Sequence, residues 1–238
     1  MKVILQTGLL ILLLAISDVL MAAIVLGNTR VIYPSEKKTV NVQLYNQDQQ
    51  ASLVQAWIDD GDIESTPENS HAPFVITPPV LRVSGNQGTI VKIQSFPESM
   101  SLAKDRESLF FLNVLDIPPK PDERRDAVNT LQFAVKTRVK LFYRPQNIRM
   151  KPDDVIQLIT LKRQDGGRHL LIDNPTPYYF TISMIEDSRG QALLSDGVML
   201  APFSHMTCAT QQVTKSRNQV ALIYVNDNGS YLTRSFLL

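Results

Sequence analysis

The sequence predicts an all-β protein built from two β-sandwich domains. Three observations point there. About ten segments alternate apolar and polar residues at the two-residue period of a half-buried strand, with Gly, Pro, Asn or Asp between them. Beyond the first 22 residues, no stretch sustains the 3.6-residue period of an amphipathic helix. One polar, basic, proline-flanked stretch, "YRPQNIRMKPDD", divides the chain into two pieces, each close to the roughly 100 residues of an immunoglobulin-like sandwich.

The chain opens with "MKVILQTGLLILLLAISDVLMA", a lysine, an apolar run and then small residues. That order is shared by a secretory signal and a membrane anchor. Ser17 and Asp18 interrupt the run short of the roughly 20 apolar residues a spanning helix needs, which favours a cleaved signal over residues 1–22. The first domain then covers 23–145. Its strands are read in "TVNVQLYNQ", "SLVQAWIDDGD", "APFVITPPVLRV" (broken at Pro78 and Pro79), "GTIVKIQSF", "ESLFFLNVLDIPP" and "LQFAVKTRVKLFYRP". Residues 146–151 form a linker, and 152–238 a second domain with strand segments in "DVIQLITLKRQDGG", "HLLIDNPTPYYFTISMIED", "GVMLAPFSHMTCAT", "QVALIYVNDNG" and "SYLTRSFLL". Asp59 and Asp60, before Gly61, read as a solvated turn.

Composition narrows the function. With 44% hydrophobic and 20% charged residues the chain is globular, and a net charge of +1 supplies no bulk field for nucleic acid or an anionic membrane. The single cysteine, Cys208, forms no internal disulfide and reads as a small buried apolar residue. His71, His169 and His205 lie in separate segments without metal-ligand spacing and read as surface or loop residues. No nucleophile-elbow, phosphate-loop or dinucleotide motif occurs. The sequence therefore predicts no catalytic residue, no metal and no cofactor.

The stretch Leu131–Pro145 is the most informative. Leu131, Phe133, Val135, Thr137, Val139, Leu141 and Tyr143 share one parity, and Lys136, Arg138, Lys140 and Arg144 the other. Strands usually hold about 5–6 residues, so this apolar face is long for one domain to cover.

Read together, "NTRVIYPSEKKTVNVQLYN", "DRESLFFLNVLDIPP" and "LQFAVKTRVKLFYRP", with "QAWI", "TPPVLRV", "NPTPYYF", "VMLAP" and "YVNDNG", resemble the periplasmic chaperones of chaperone–usher pili. The resemblance spans essentially all of the chain after the signal. It implies two immunoglobulin-like sandwiches in a boomerang around a cleft. It implies that Arg30 and Lys140 hold the C-terminal carboxylate of a pilus subunit, where composition alone reads them as ordinary strand-surface cations. It implies that Leu131, Phe133 and Val135 are lent to a subunit that lacks its last strand, where alternation alone reads them as a core face. Glu107, Arg144 and Asp227 would form a structural charge network across the domain joint. The brief "PPKPDERRDAVN" stretch, which carries the 120–129 loop, and the missing cysteine pair match the short-loop class. The expected partners are pilus subunits and an outer-membrane usher, with self-association through the exposed strand as a further possibility. Nucleic acid and stable membrane insertion are not expected, and the expected location is the periplasm. A secreted two-domain adhesion protein is the competing function.

Overall fold

The computed structural model describes residues 23–120, 132–211 and 219–238. The predicted signal (1–22), Leu131 and all but the first residue of the 120–129 loop lie outside the described residues.

The first sandwich packs a four-stranded sheet against a five-stranded one. In the four-stranded sheet the order is β1 (Ile24–Leu26), β3 (Val40–Asn46), β7 (Gly88–Ser95) and β5 (Phe74–Thr77). In the other it is β2 (Arg30–Pro34), β9 (Val135–Arg144), β8 (Ser108–Ile117), β4 (Ser52–Asp59) and β6 (Val80–Val83). Alternation sets which side chains face in: in β3, Val42 and Leu44 are buried while Asn41, Gln43 and Tyr45 are exposed. Tyr33, Leu44, Ile93, Leu112 and Leu141 are fully enclosed between the sheets. The Tyr33 ring packs edge-on against Phe74 at 5.3 Å and stacks on Tyr143 at 6.0 Å. Its hydroxyl accepts from Ser95 N at 3.0 Å.

Two segments pass from one sheet to the other. The prolines of "TPPV" separate β5, paired with β7, from β6, paired with β4. At the start, Gly27–Thr29 separate β1, antiparallel to β3, from β2, parallel to β9. The second crossing limits what β9 can pair with. Along its whole length β9 is antiparallel to β8, from Val135 opposite Asp116 to Tyr143 opposite Ser108. Its other edge meets β2 only from Lys140, opposite Arg30, to Arg144. Among the described residues, Val135–Val139 have no neighbour on that side. Among the described residues regular strand begins at Val135, so Phe133 precedes it.

The second sandwich pairs a sheet of β10 (Thr160–Gln164), β11 (His169–Asn174) and β15 (Ser204–Ala209) with one ordered β13 (Ala192–Leu194), β12 (Phe180–Asp187), β16 (Gln219–Val225) and β17 (Tyr231–Leu237). A short strand, β14 (Val198–Leu200), also pairs with β12. Ile172, Ile182, Ile185 and Leu222 are fully buried between them. His169, half-buried, and His205, exposed, lie on the surfaces of strands, and Cys208 on β15 is half-buried against this core, which pushes its thiol up. Each sandwich uses a buried asparagine to close a strand. Asn46 donates to the carbonyls of Gln50 and Val83, and Asn174 to those of Tyr178 and Ala201. Among the described residues no helix is long and apolar enough to cross a membrane.

The loop after β3 crosses the turn after β6 closely enough that Asn86 N donates to Asp48 O at 2.8 Å. A Cβ on Gly85 would lie 2.0 Å from Gln49 O, a clash with backbone that no rotamer change relieves. Gly85→Ala is therefore expected to destabilise the protein by about 1–3 kcal/mol, the usual cost of overpacking, seen as a lower urea midpoint at unchanged m-value.

Candidate functional site

The site grows from the parallel register of β2 and β9. That pairing sets Arg30 directly beside Lys140 on the outward face of the sheet, and Arg30 lines the pocket at the joint between the domains. Two adjacent cations in a partly dry place are unfavourable without an anion. Arg30 donates one long bond, Nη1 to Val225 O at 3.3 Å, and its guanidinium lies 5.9 Å from the Phe142 ring centre. Its Nε is buried and has no hydrogen-bond partner among the described residues. Burial lowers the Arg30 pKa, partly offset by Asp227, Tyr231 and Glu107. Burial also lowers the pKa of Lys140, and the neighbouring charge of Arg30 lowers it further. The pair has unused donors and an electrostatic deficit that a carboxylate corrects.

The apolar parity of β9 changes character just before this pair. Leu141 is 0% exposed and Tyr143 4%, whereas Val135 is 40% and Phe133 65% exposed. The exposed apolar residues lie where the strand edge is also unpaired. Unmet backbone donors and acceptors next to uncovered apolar side chains form a template for another strand. Leu131 lies outside the described residues.

The expected joint network comes together. Arg144 Nε donates to Glu107 Oε1 at 2.8 Å, and its Nη1 and Nη2 reach both oxygens of Asp227 at 2.7 and 3.0 Å. Glu107 is buried, and its second oxygen accepts from Tyr179 N at 2.9 Å, while its own amide donates to Pro177 O. One first-domain residue thus holds the second domain's backbone at two points, its carboxylate at Tyr179 and its amide at Pro177. Phe142 packs on Tyr179 at 5.6 Å beside it. Burial pushes the Glu107 carboxyl up, against the pull of Arg144 and the Tyr179 amide. Burial opposes the charge of Arg144, but Asp227 and Glu107 outweigh it and hold that pKa above its ordinary value.

Sequence reading missed Asp59. It is not a solvated turn residue: it ends β4, is wholly buried, and pairs with Arg138 at 2.5 Å. Nothing local signals this, because its partner lies 79 residues away.

Similarity to known proteins agrees with this geometry. Residues 23–149 match the family model for the PapD N-terminal domain of pili and flagellar-assembly chaperones, and 154–236 match that of the PapD C-terminal domain of pili assembly chaperones. Chaperone protein HifB of Haemophilus influenzae is 40% identical over 212 residues, 88% of this chain and 85% of its own. Chaperone protein PapD of Escherichia coli is 35% identical over 220 residues, 91% and 87% of the two chains. The crystal structure of the YadV chaperone superposes with a TM-score of 0.76 at 34% identity, covering 91% of this chain and all of that one. The expected fold, two immunoglobulin-like sandwiches in a boomerang, is the one observed.

Removing Arg144 strands a buried carboxylate. Arg144→Ala is expected to destabilise the protein by about 3–5 kcal/mol at neutral pH. Glu107, its folded pKa already above the ordinary value, then has burial nearly unopposed, and a protonated carboxyl needs no cation. The deficit should therefore shrink as pH falls through that raised pKa and be largest above it. Urea unfolding of the variant between pH 4 and 8, with Arg144→Ala/Glu107→Gln recovering part of the loss, checks this.

Proposed function

Since the chain belongs to the PapD-like periplasmic chaperones of pilus assembly, we propose that it captures pilus subunits through the free edge of β9 and the Arg30–Lys140 pair, and passes them to an outer-membrane usher. It acts as a chaperone and not as an enzyme. The periplasm is its place of action, reached by export on residues 1–22, which are removed as a signal.

The observation that carries this reading is the coincidence of three features within a few residues of β9. Among the described residues the strand has no neighbour on its second edge over Val135–Val139, Val135 and the preceding Phe133 are exposed, and two cations short of acceptors stand where the free edge ends. A subunit whose fold lacks its last strand supplies complementary needs. Its groove edge pairs with the β9 backbone, and its groove accepts Val135, Phe133 and Leu131. Each such residue contributes about 1.5–3 kcal/mol when fully covered, before ordering costs are subtracted. Its terminal carboxylate takes charge-assisted bonds from Arg30 and Lys140. Since a strand can slip by two residues without changing its buried face, the carboxylate at the end of the run selects the register.

Glu107, Arg144 and Asp227 act in this scheme as structure, holding the domains so that the second one walls the cleft. The free edge also suits a second copy of the chain, and bound subunit should suppress that self-association. The short loop before β9 matches the class with rod-forming or adhesive pili as products.

Co-expression with a pilin tests the anchor. Loss of a charge-assisted bond costs about 1.5–3 kcal/mol, so Arg30→Ala and Lys140→Ala should each weaken capture roughly ten- to hundredfold and lower periplasmic pilin yield. Binding a carboxylate raises the depressed Lys140 pKa, so capture is linked to proton uptake at alkaline pH. Affinity should fall as pH rises through the free Lys140 pKa, below its ordinary value, and Lys140→Met should abolish that alkaline dependence. Unchanged capture in both alanine variants would overturn the proposed anchor.

A further inference from the structure

The half-paired stretch of β9 is open to fraying, because among the described residues it is held by β8 alone. A set of side chains on its polar face ties it down. Asp59 Oδ1 accepts from Arg138 Nη2 at 2.5 Å and from Gly61 N at 2.8 Å. Its Oδ2 accepts from Arg138 Nε at 3.1 Å and from Asn113 Nδ2 at 2.6 Å. One buried carboxylate at the end of β4 thus binds β8 through Asn113 and β9 through Arg138. The Arg138 guanidinium also lies 3.6 Å from the ring centre of Phe111 on β8. Burial opposes the charge of Asp59, but Arg138, Asn113 and the Gly61 amide outweigh it and keep its pKa below the usual carboxylate value. A second tether lies one turn of the alternation earlier, where Lys136 Nζ donates to Ile63 O at 2.8 Å.

Both tethers fall within Val135–Val139, and neither touches the apolar parity or the free edge. Asp59 also shares a cross-strand row with Phe111 and Lys140.

We propose that Arg138, clamped by Asp59, is a positioning residue for subunit capture: it holds the unpaired half of β9 as a ready-made strand, so the incoming subunit meets an ordered edge. The inference rests on the chaperone function proposed above and adds residues that neither contact the subunit's carboxylate nor fill its groove. Preorganisation of this kind acts on how readily the edge is met, because ordering even one residue at the moment of binding costs about tenfold.

The test uses the full mature chain and a pilin subunit that the parent chain captures. In Arg138→Gln, amide hydrogen exchange over 135–139 should accelerate about tenfold, with exchange in β3 and β7 unchanged. Association with the pilin should slow by about tenfold, and dissociation should change by less than about threefold. Arg138→Lys, which keeps the charge but loses the fork, should recover part of both effects. Lys136→Ala, at an exposed position that does not endanger folding, should shift both in the same direction by less. Unchanged exchange and association in the folded variants would overturn the proposal, as would a uniform rise in exchange across the whole sandwich. If the parent chain captures no pilin at all, the chaperone function fails instead, and the exchange measurement still decides whether Arg138 holds the edge.

Discussion

Everything distinctive in this molecule depends on one backbone constraint: β9 has a partner on both sides for only half its length. Backbone donors and acceptors in a sheet must be met, and an edge that leaves them open next to apolar side chains is a liability in most proteins. Here the open edge has a definite cause. The first strand of the sandwich is divided between two sheets at Gly27–Thr29, so its second half reaches β9 only at Arg30. The crossing that ends the pairing also delivers Arg30 to the side of Lys140. The opening in the sheet and the cationic pair that borders it have a single geometric origin.

Two groups of charges near the joint show how differently buried ions can be used. Glu107, Arg144 and Asp227 are saturated with one another and with the Tyr179 amide, so their charges are consumed in holding two domains together. Lys140 shares β9 with Arg144, and Arg30 stands beside it on β2; both are left short of acceptors, with burial pulling both pKa values down. A saturated network has nothing to offer a ligand, whereas an unsatisfied pair has. The contrast separates the structural from the binding cations among residues that are alike in composition. Asp59 and Arg138 belong with the saturated kind, yet their place on the unpaired half of β9 gives that saturation a bearing on binding.

Part of this was legible from residue order. Alternation in "TVNVQLYN" and "LQFAVKTRVKLFYR" specifies strands and their buried parity, because side chains on a pleated chain point to opposite faces in turn. The prolines of "TPPV" mark where strands stop. Arg30, Lys140, Glu107, Arg144 and Asp227 came from resemblance to a family, and spacing could not have found them, since the network joins positions 37 and 83 residues apart. Asp59 was misread because "DDG" has the form of a turn. Its first aspartate ends a strand and is met there by Asn113 and Arg138 from the neighbouring strands.

The chain's own residue order therefore settles what is local: the all-β class, the parity of each strand, the lack of a disulfide, and the breaks between strands. These follow from backbone sterics and the period of a strand, which act between near neighbours. Tertiary structure decides what is relational: which edge of β9 stays open, which cations lack acceptors, and which aspartate is buried. Those depend on where a sheet crossing brings distant segments side by side. Pairing between strands is a long-range event whose outcome no single strand encodes.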